Sequence, residues 1–269
     1  MRTLAALALA LVLTGCGGGG TPASDTPGSD TPGGGTPTST PPTTATPPPS
    51  PTPTTPTTPT APTAPTPSPT PAPAYLDGID ASHHQGRIDW PAVARSGIDF
   101  AYLKATEGTT FTDPDFAANR RRAVREGIDV AGYHYFQLCS DGAAQAAHFL
   151  AVLGDREPSV PPALDLELQG SCADPPGAEA LLQQVRAFLR RVDRATGTRT
   201  VVYLYPEFEE RFGFADDLAD HPQWVRRLGD RPPRRAWAVW QHDDAGRVPG
   251  MTGNVDLNRM KESLVAGGR

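Results

Sequence analysis

Asp165 and Glu167, two residues apart in Ala163-Leu164-Asp165-Leu166-Glu167-Leu168, are the pair in this sequence best suited to do chemistry. On an extended strand such residues face the same way, with Cα atoms about 6.5 to 7 Å apart. Leu164, Leu166 and Leu168 then point to the other face and can anchor the strand in a hydrophobic layer. Two carboxylates at that separation repel by about 2.4 kcal/mol at an effective dielectric of about 20. The repulsion favours keeping one of them protonated toward neutral pH. A pair so divided can protonate a leaving glycosidic oxygen with one carboxyl and stabilise an oxocarbenium-like centre with the other. A surface strand with two solvated acids has the same spacing, so the surroundings must decide.

Those surroundings are a series of short apolar runs alternating with helical stretches. Ile98 to Leu103 precedes a helix from about Pro114, Val130 to Phe136 one from about Gly142, and Ala163 to Leu168 a long one from about Gly177. Thr200 to Tyr205, Ala236 to Gln241 and the short Val255 to Leu257 are further strands. This rhythm predicts a parallel sheet whose strand C-termini converge on one face. Asp113-Pro114 reads as a helix start, and Gly97, Gly127 and Gly197 each read as a helix stop before a strand. No dinucleotide fingerprint or phosphate loop occurs. Many strands in a short span without a Gly-rich crevice favour an α/β fold of the compact β/α (TIM-like) barrel type over an open doubly wound sheet.

Composition separates this domain from what precedes it. All nineteen aromatic residues of the 269 lie at or after Tyr75, whereas 19 of the 31 prolines lie between Pro22 and Pro73. Residues 17–74 carry only two charges, Asp25 and Asp30, and cannot bury a core. Residues 75–269 suffice for one domain. With 23 basic and 28 acidic residues, that domain offers no nucleic-acid footprint.

Six blocks, one of them holding the carboxylate pair, place that pair in context. Gly78-Ile79-Asp80-Ala81-Ser82-His83-His84-Gln85-Gly86 with Asp89-Trp90, then Phe100 to Gly108 (FAYLKATEG), then Gly132-Tyr133-His134-Tyr135-Phe136 come first. Pro162 to Glu167, Trp237 to Gln241 and Gly253-Asn254-Val255-Asp256-Leu257-Asn258 follow. In this order, and spanning nearly all of residues 75–260, they resemble glycoside hydrolase family 25. The resemblance implies a modified β/α barrel with fewer helices than strands. It also implies a lysozyme that cuts the β-1,4 bond between N-acetylmuramic acid and N-acetylglucosamine in peptidoglycan glycan strands, without a cofactor. By position it makes Glu167 the general acid and Asp80, Asp165 and Asp256 the other acids of the site. It further implies that the substrate's N-acetyl group serves as nucleophile, a role in which Asp165 would orient it, with retention of configuration. Asp80 and Asp256 would orient water, sugar hydroxyls or the other acids. Ala81, Leu204 and His242 depart from the commoner family pattern and bear on substrate contacts rather than on the acids. A catalytically idle wall-binding protein is the alternative; keeping all four acids speaks against it.

Sugar rings stack on aromatic faces at strand ends, which makes Tyr133, Tyr135, Tyr203 and Trp240 candidate substrate platforms, with core packing the alternative for each. Tyr135 and His134 cannot both face the cleft, because neighbours on a strand diverge; His134 is taken as the substrate-side residue and Tyr135 as the better core candidate. Lys104 at a strand end is a candidate for the muramyl or peptide part, and Glu107 reads as structural. His83, His84, His134 and His242 do not have zinc-ligand spacing, so no metal site is expected.

The N-terminus adds an address. Residues 3–13 form an apolar run too short to span a bilayer, and Leu13-Thr14-Gly15-Cys16 resembles a bacterial lipoprotein box. The expectation is a lipoprotein signal peptide over 1–15, lipidation of Cys16, and a disordered Gly/Pro/Thr-rich tether over 16–74 reaching up to roughly 180 Å as polyproline II. The protein would be exported and held at a bacterial membrane by its lipid anchor, its catalytic domain, a monomer, facing the periplasm or cell wall. Cys139 and Cys172 remain, each just beyond a strand end, and in an oxidising compartment are expected to form a disulfide.

Overall fold

A computed structural model describes residues 75–154 and 159–265. The signal segment, Cys16 and the tether lie outside the described residues. In chain order the elements are β1 (Tyr75–Ala81), α1 (Trp90–Arg95), β2 (Phe100–Glu107), β3 (Phe111–Thr112), α2 (Phe116–Arg125), β4 (Asp129–Tyr135) and α3 (Gly142–Leu153). They continue with β5 (Ala163–Leu166), α4 (Ala178–Thr196), β6 (Val201–Leu204), α5 (Pro206–Phe212), β7 (Gln223–Arg226), β8 (Val239–Gly246) and β9 (Val255–Lys261).

Eight strands close into a barrel in the order β1-β9-β8-β7-β6-β5-β4-β2, sealed by parallel pairing of β1 with β2. The neighbours from β1 through β8 in the chain pair in parallel, whereas β9 runs antiparallel to both β8 and β1. β3 is a two-residue extension folded back on β2. Five α-helices among the described residues serve eight barrel strands, so the barrel has fewer helices than strands.

Two apolar layers hold it. Inside, Phe100, Tyr102, Val201, Trp224, Val239 and Met260 fill the lumen. Gly78 is required there: a Cβ on it would come within 2.3 Å of the Phe100 ring. Outside, Ile79, Leu103, Leu164, Leu166, Val202 and Leu204 meet the helices. The helix α4 shows why it lies on the barrel, since Leu181, Val185, Phe188, Leu189 and Val192 recur at helical spacing and are all buried. Gly197 ends it with φ 71°, a left-handed conformation that favours glycine.

Two readings of the sequence need correction. The Asp113-Pro114 pair does not cap a helix; α2 starts at Phe116, and Asp113 instead accepts from the His83 backbone (2.9 Å) and pairs with His83 Nδ1 (2.8 Å). In addition β1, β7 and α5 carry no clear strand or helix signal in the sequence. The first strand, YLDGIDA, has a glycine and two acids where β-branched residues would have signalled a strand.

Candidate active site

The C-terminal mouth of the barrel opens into a cleft of about 470 Å³. Residues at this end of the strands line it: Asp80 from β1, Lys104 from β2, Tyr133 and Tyr135 from β4, Asp165 from β5 and Glu167 just beyond it. On the other side β6 brings Tyr203 and Tyr205, β7 Trp224 and Arg226, β8 Gln241 and Asp244, and β9 Asp256. The four sequence-predicted acids therefore share one site. Asp165 and Glu167 meet through strand alternation, as expected. Asp80 and Asp256, far apart in the chain, are cross-strand partners in the antiparallel β1–β9 register.

Beneath the acids runs a buried polar layer. The Trp224 indole donates to Asn258 Oδ1 (2.9 Å), and Asn258 Nδ2 donates to Asp80 Oδ2 (2.8 Å). Tyr203 OH donates to Gln241 Oε1 (2.9 Å), and Gln241 Nε2 reaches the same Asp80 oxygen at 3.5 Å. These bonds fix the Asp80 carboxylate from below and satisfy groups that could not be buried unpaired.

Burial raises all four acids, and the charges of neighbouring carboxylates add to it. Burial pushes Asp80 well above the usual carboxylate range, reinforced by the Asp256 charge and opposed by the Asn258 amide. Burial likewise raises Asp256. Asp165 rises through burial first, then the charges of Glu167 and Asp80, against the pull of Lys104. Burial carries Glu167 up to about 7. The Asp165–Glu167 pair thus retains a proton near neutral pH, which is what an acid catalyst needs. One oxygen of Asp165, Oδ1, is buried and has no hydrogen-bond partner among the described residues.

Lys104 is nearly buried, with Nζ 2.6 Å from Glu107 Oε2 and 4.7 Å from the Tyr135 ring centroid. Gln137 Nε2 holds the other Glu107 oxygen at 2.7 Å, so Glu107 anchors the lysine rather than merely shaping a turn. The segment after Glu167 is also fastened: Tyr135 OH donates to the Gln169 carbonyl, Gln137 Nε2 to Gly170 O (3.0 Å), and the Leu138 amide to Ser171 Oγ (2.8 Å). Cys139 and Cys172 close a disulfide beside them, with Cα atoms 5.9 Å apart.

Two candidates do not reach the cleft. His134 faces outward, because Tyr133 and Tyr135 on either side face in. It is fully buried against α3 and α4, bonded to Thr106 Oγ1 (2.7 Å) and Gln145 Oε1 (3.1 Å) and stacked on Phe188. Burial pushes its pKa down to about 3, so it stays neutral. The inward residue is Tyr135. Trp240 is likewise outward, between inward Val239 and Gln241, with its indole donating to Arg227 O (2.7 Å). Trp224 supplies the indole in the cleft instead. Trp224, Tyr205, Arg226, Gln241, Asp244 and Asn258 were all missed; recognising β7 and counting alternation outward from Gln241 would have found several. The His83 and His84 rings lie 4.0 Å apart, yet among the described residues no three metal-binding side chains are grouped to hold an ion.

The Glycosyl hydrolases family 25 profile matches residues 79–251. The uncharacterized protein YegX of Escherichia coli (strain K12) is 35% identical over 196 residues, 70% of this chain and 70% of that one. Lysozyme M1 of Streptomyces globisporus is 33% identical over 201 residues, covering 70% and 68%. The crystal structure of a bacterial lysozyme from Streptomyces coelicolor superposes with a TM-score of 0.63 at 32% identity, covering 69% of this chain and 91% of that one.

Proposed function

The chain belongs to glycosyl hydrolases family 25 and is a glycoside hydrolase, and from that membership we propose that it is a muramidase cutting the β-1,4 bond between N-acetylmuramic acid and N-acetylglucosamine in peptidoglycan. The observation that carries the reading is the gathering of Asp80, Asp165, Glu167 and Asp256 around one cleft, with Glu167 raised to about 7. Glu167 gives its proton to the glycosidic oxygen as the bond to C1 breaks. The acetamido oxygen of the same sugar forms the new bond to C1. Asp165, whose Oδ1 has no hydrogen-bond partner among the described residues, orients that acetamido group through its N–H. Glu167, now a carboxylate, takes a proton from water as water opens the cyclic intermediate, restoring the acid and retaining configuration. Asp80, held by Asn258 and Gln241, and Asp256 position water and hydroxyls. Tyr133, Tyr135, Tyr203 and Trp224 offer ring faces to the sugars.

The signal-like segment and Leu13-Thr14-Gly15-Cys16 support export and a lipid anchor at Cys16, with residues 16–74 as tether and 75–269 as the catalytic domain. Zymography on purified peptidoglycan, with reducing-end analysis of the products, tests the activity. Clearing with new N-acetylmuramic acid reducing ends is expected, and Glu167→Gln should lower the rate by about 10² to 10⁴. Wild-type activity in that variant removes Glu167 from the mechanism. Membrane retention of Cys16→Ser refutes the anchor.

A further inference from the structure

Among the described residues lining the cleft, the permanent cations are Lys104 and Arg226. They stand on β2 and β7, opposite each other across the eight-stranded ring. Lys104 is engaged by Glu107 at 2.6 Å and nearly buried. Arg226 is differently placed. Its Nη2 is 2.5 Å from Asp244 Oδ2, its guanidinium lies 5.4 Å from the Tyr205 ring centroid, and its side chain is 21% exposed. Among the described residues it makes no second hydrogen bond, so most of the five donors of its guanidinium remain available. Asp244 is 43% exposed, which makes this a weak, solvated pair.

We propose that Arg226 is a specificity-determining residue, which binds a carboxylate borne by the substrate strand at the β7–β8 rim of the cleft. The inference rests on the muramidase reading, since a muramyl residue carries a lactyl group that ends in a carboxylate or extends into an acidic peptide. Toward β1, β5 and β9 such a group meets Asp80, Asp165, Glu167 or Asp256, where like charges at short range repel, and at β2 it meets a lysine already engaged by Glu107. At the rim it meets a guanidinium that lies 5.4 Å from the Tyr205 ring centroid and engages Asp244 through Nη2 alone, which leaves its other donors for the substrate. That geometry suits two-point recognition of a carboxylate, which a lysine ammonium cannot give. Arg226 touches the substrate side chain and not the reacting atoms, so its loss should weaken binding and leave turnover nearly intact.

The test uses the full chain and two probes: glycan strands stripped of stem peptides, with free lactyl carboxylates, and the same strands with those carboxylates converted to methylamides. Arg226→Gln should raise KM about tenfold on the carboxylate strand, the scale of one hydrogen bond to a charged group, with kcat within about twofold. On the methylamide strand it should change neither constant beyond about twofold. Arg226→Lys should recover part of the loss on the first strand. Equal loss on both strands, as a purely structural role or an effect through Asp256 would produce, overturns the proposal; so does no loss on either. Wild-type inactivity on both strands overturns the muramidase reading itself and this inference with it.

Discussion

Asn258→Ala tests the polar layer that fixes Asp80. In the wild type Asn258 is fully buried, accepts from the Trp224 indole at 2.9 Å and donates to Asp80 at 2.8 Å. Truncation takes away the partner of the buried Trp224 N–H, at a cost of about 1–3 kcal/mol. The lost bond to Asp80 adds about 1 kcal/mol, and the small void about as much again. The expected total is about 3–5 kcal/mol in urea unfolding of the full chain. A double-mutant cycle isolates the coupling. Trp224→Phe removes the orphaned donor, so Asn258→Ala in that background should cost about 1–2 kcal/mol less. Turnover should fall too, because the Asn258 amide is the chief group holding the Asp80 carboxyl down. A single-variant cost under about 1 kcal/mol, or a coupling within about 0.5 kcal/mol of zero, refutes the reasoning.

Turnover should decline as pH rises through about 7, where Glu167 loses its proton; a rate unchanged to pH 9 would contradict its role as the acid. Reducing the Cys139–Cys172 disulfide, whose ends are separated by 33 positions in the chain, should cost about 4 kcal/mol in the chain-entropy model. It should also lower kcat by loosening the segment after Glu167, and an unchanged melting temperature would show that the bridge contributes little. On the opposite side of the molecule, His221 lies 3.1 Å from Asp193 and 3.0 Å from Asp220. Burial opposes the charged imidazole, but these acids outweigh it and raise the His221 pKa. Asp193 is depressed, because the bonds from His221 and Thr200 outweigh burial. A raised histidine stabilises fully below its unfolded pKa of about 6.5 and loses that contribution as pH rises through its higher folded value. A depressed Asp stabilises above about 3.9 and loses its contribution as pH falls through its lower folded value. The clasp should therefore be strongest between about pH 4 and 6.5, and a His221→Gln variant with the wild-type pH profile of stability would refute it.

The chain's own residue order determines much of this protein. The alternation in Ala163-Leu164-Asp165-Leu166-Glu167 aims both acids one way and both leucines the other, whatever else surrounds the strand. Helix stops such as Gly197 and the apolar stripe of α4 likewise follow from local chemistry, and the six motif blocks carried the resemblance that implied the family and the barrel. What tertiary structure alone decided is which face of each strand looks inward. In a barrel wrapped by helices both faces are buried, so apolar residues line both and alternation no longer marks the cleft. His134 and Tyr135 could therefore be exchanged on paper, and Trp240 could stand where Trp224 does. Closure of the barrel settles the matter, because Phe100 and Tyr102 fix β2, and its register then assigns Tyr133 and Tyr135 to the lumen side and His134 to the helices. The same closure brings Asn258 beneath Asp80 and Asp244 beside Arg226, contacts between residues too far apart in the chain for any local pattern to announce.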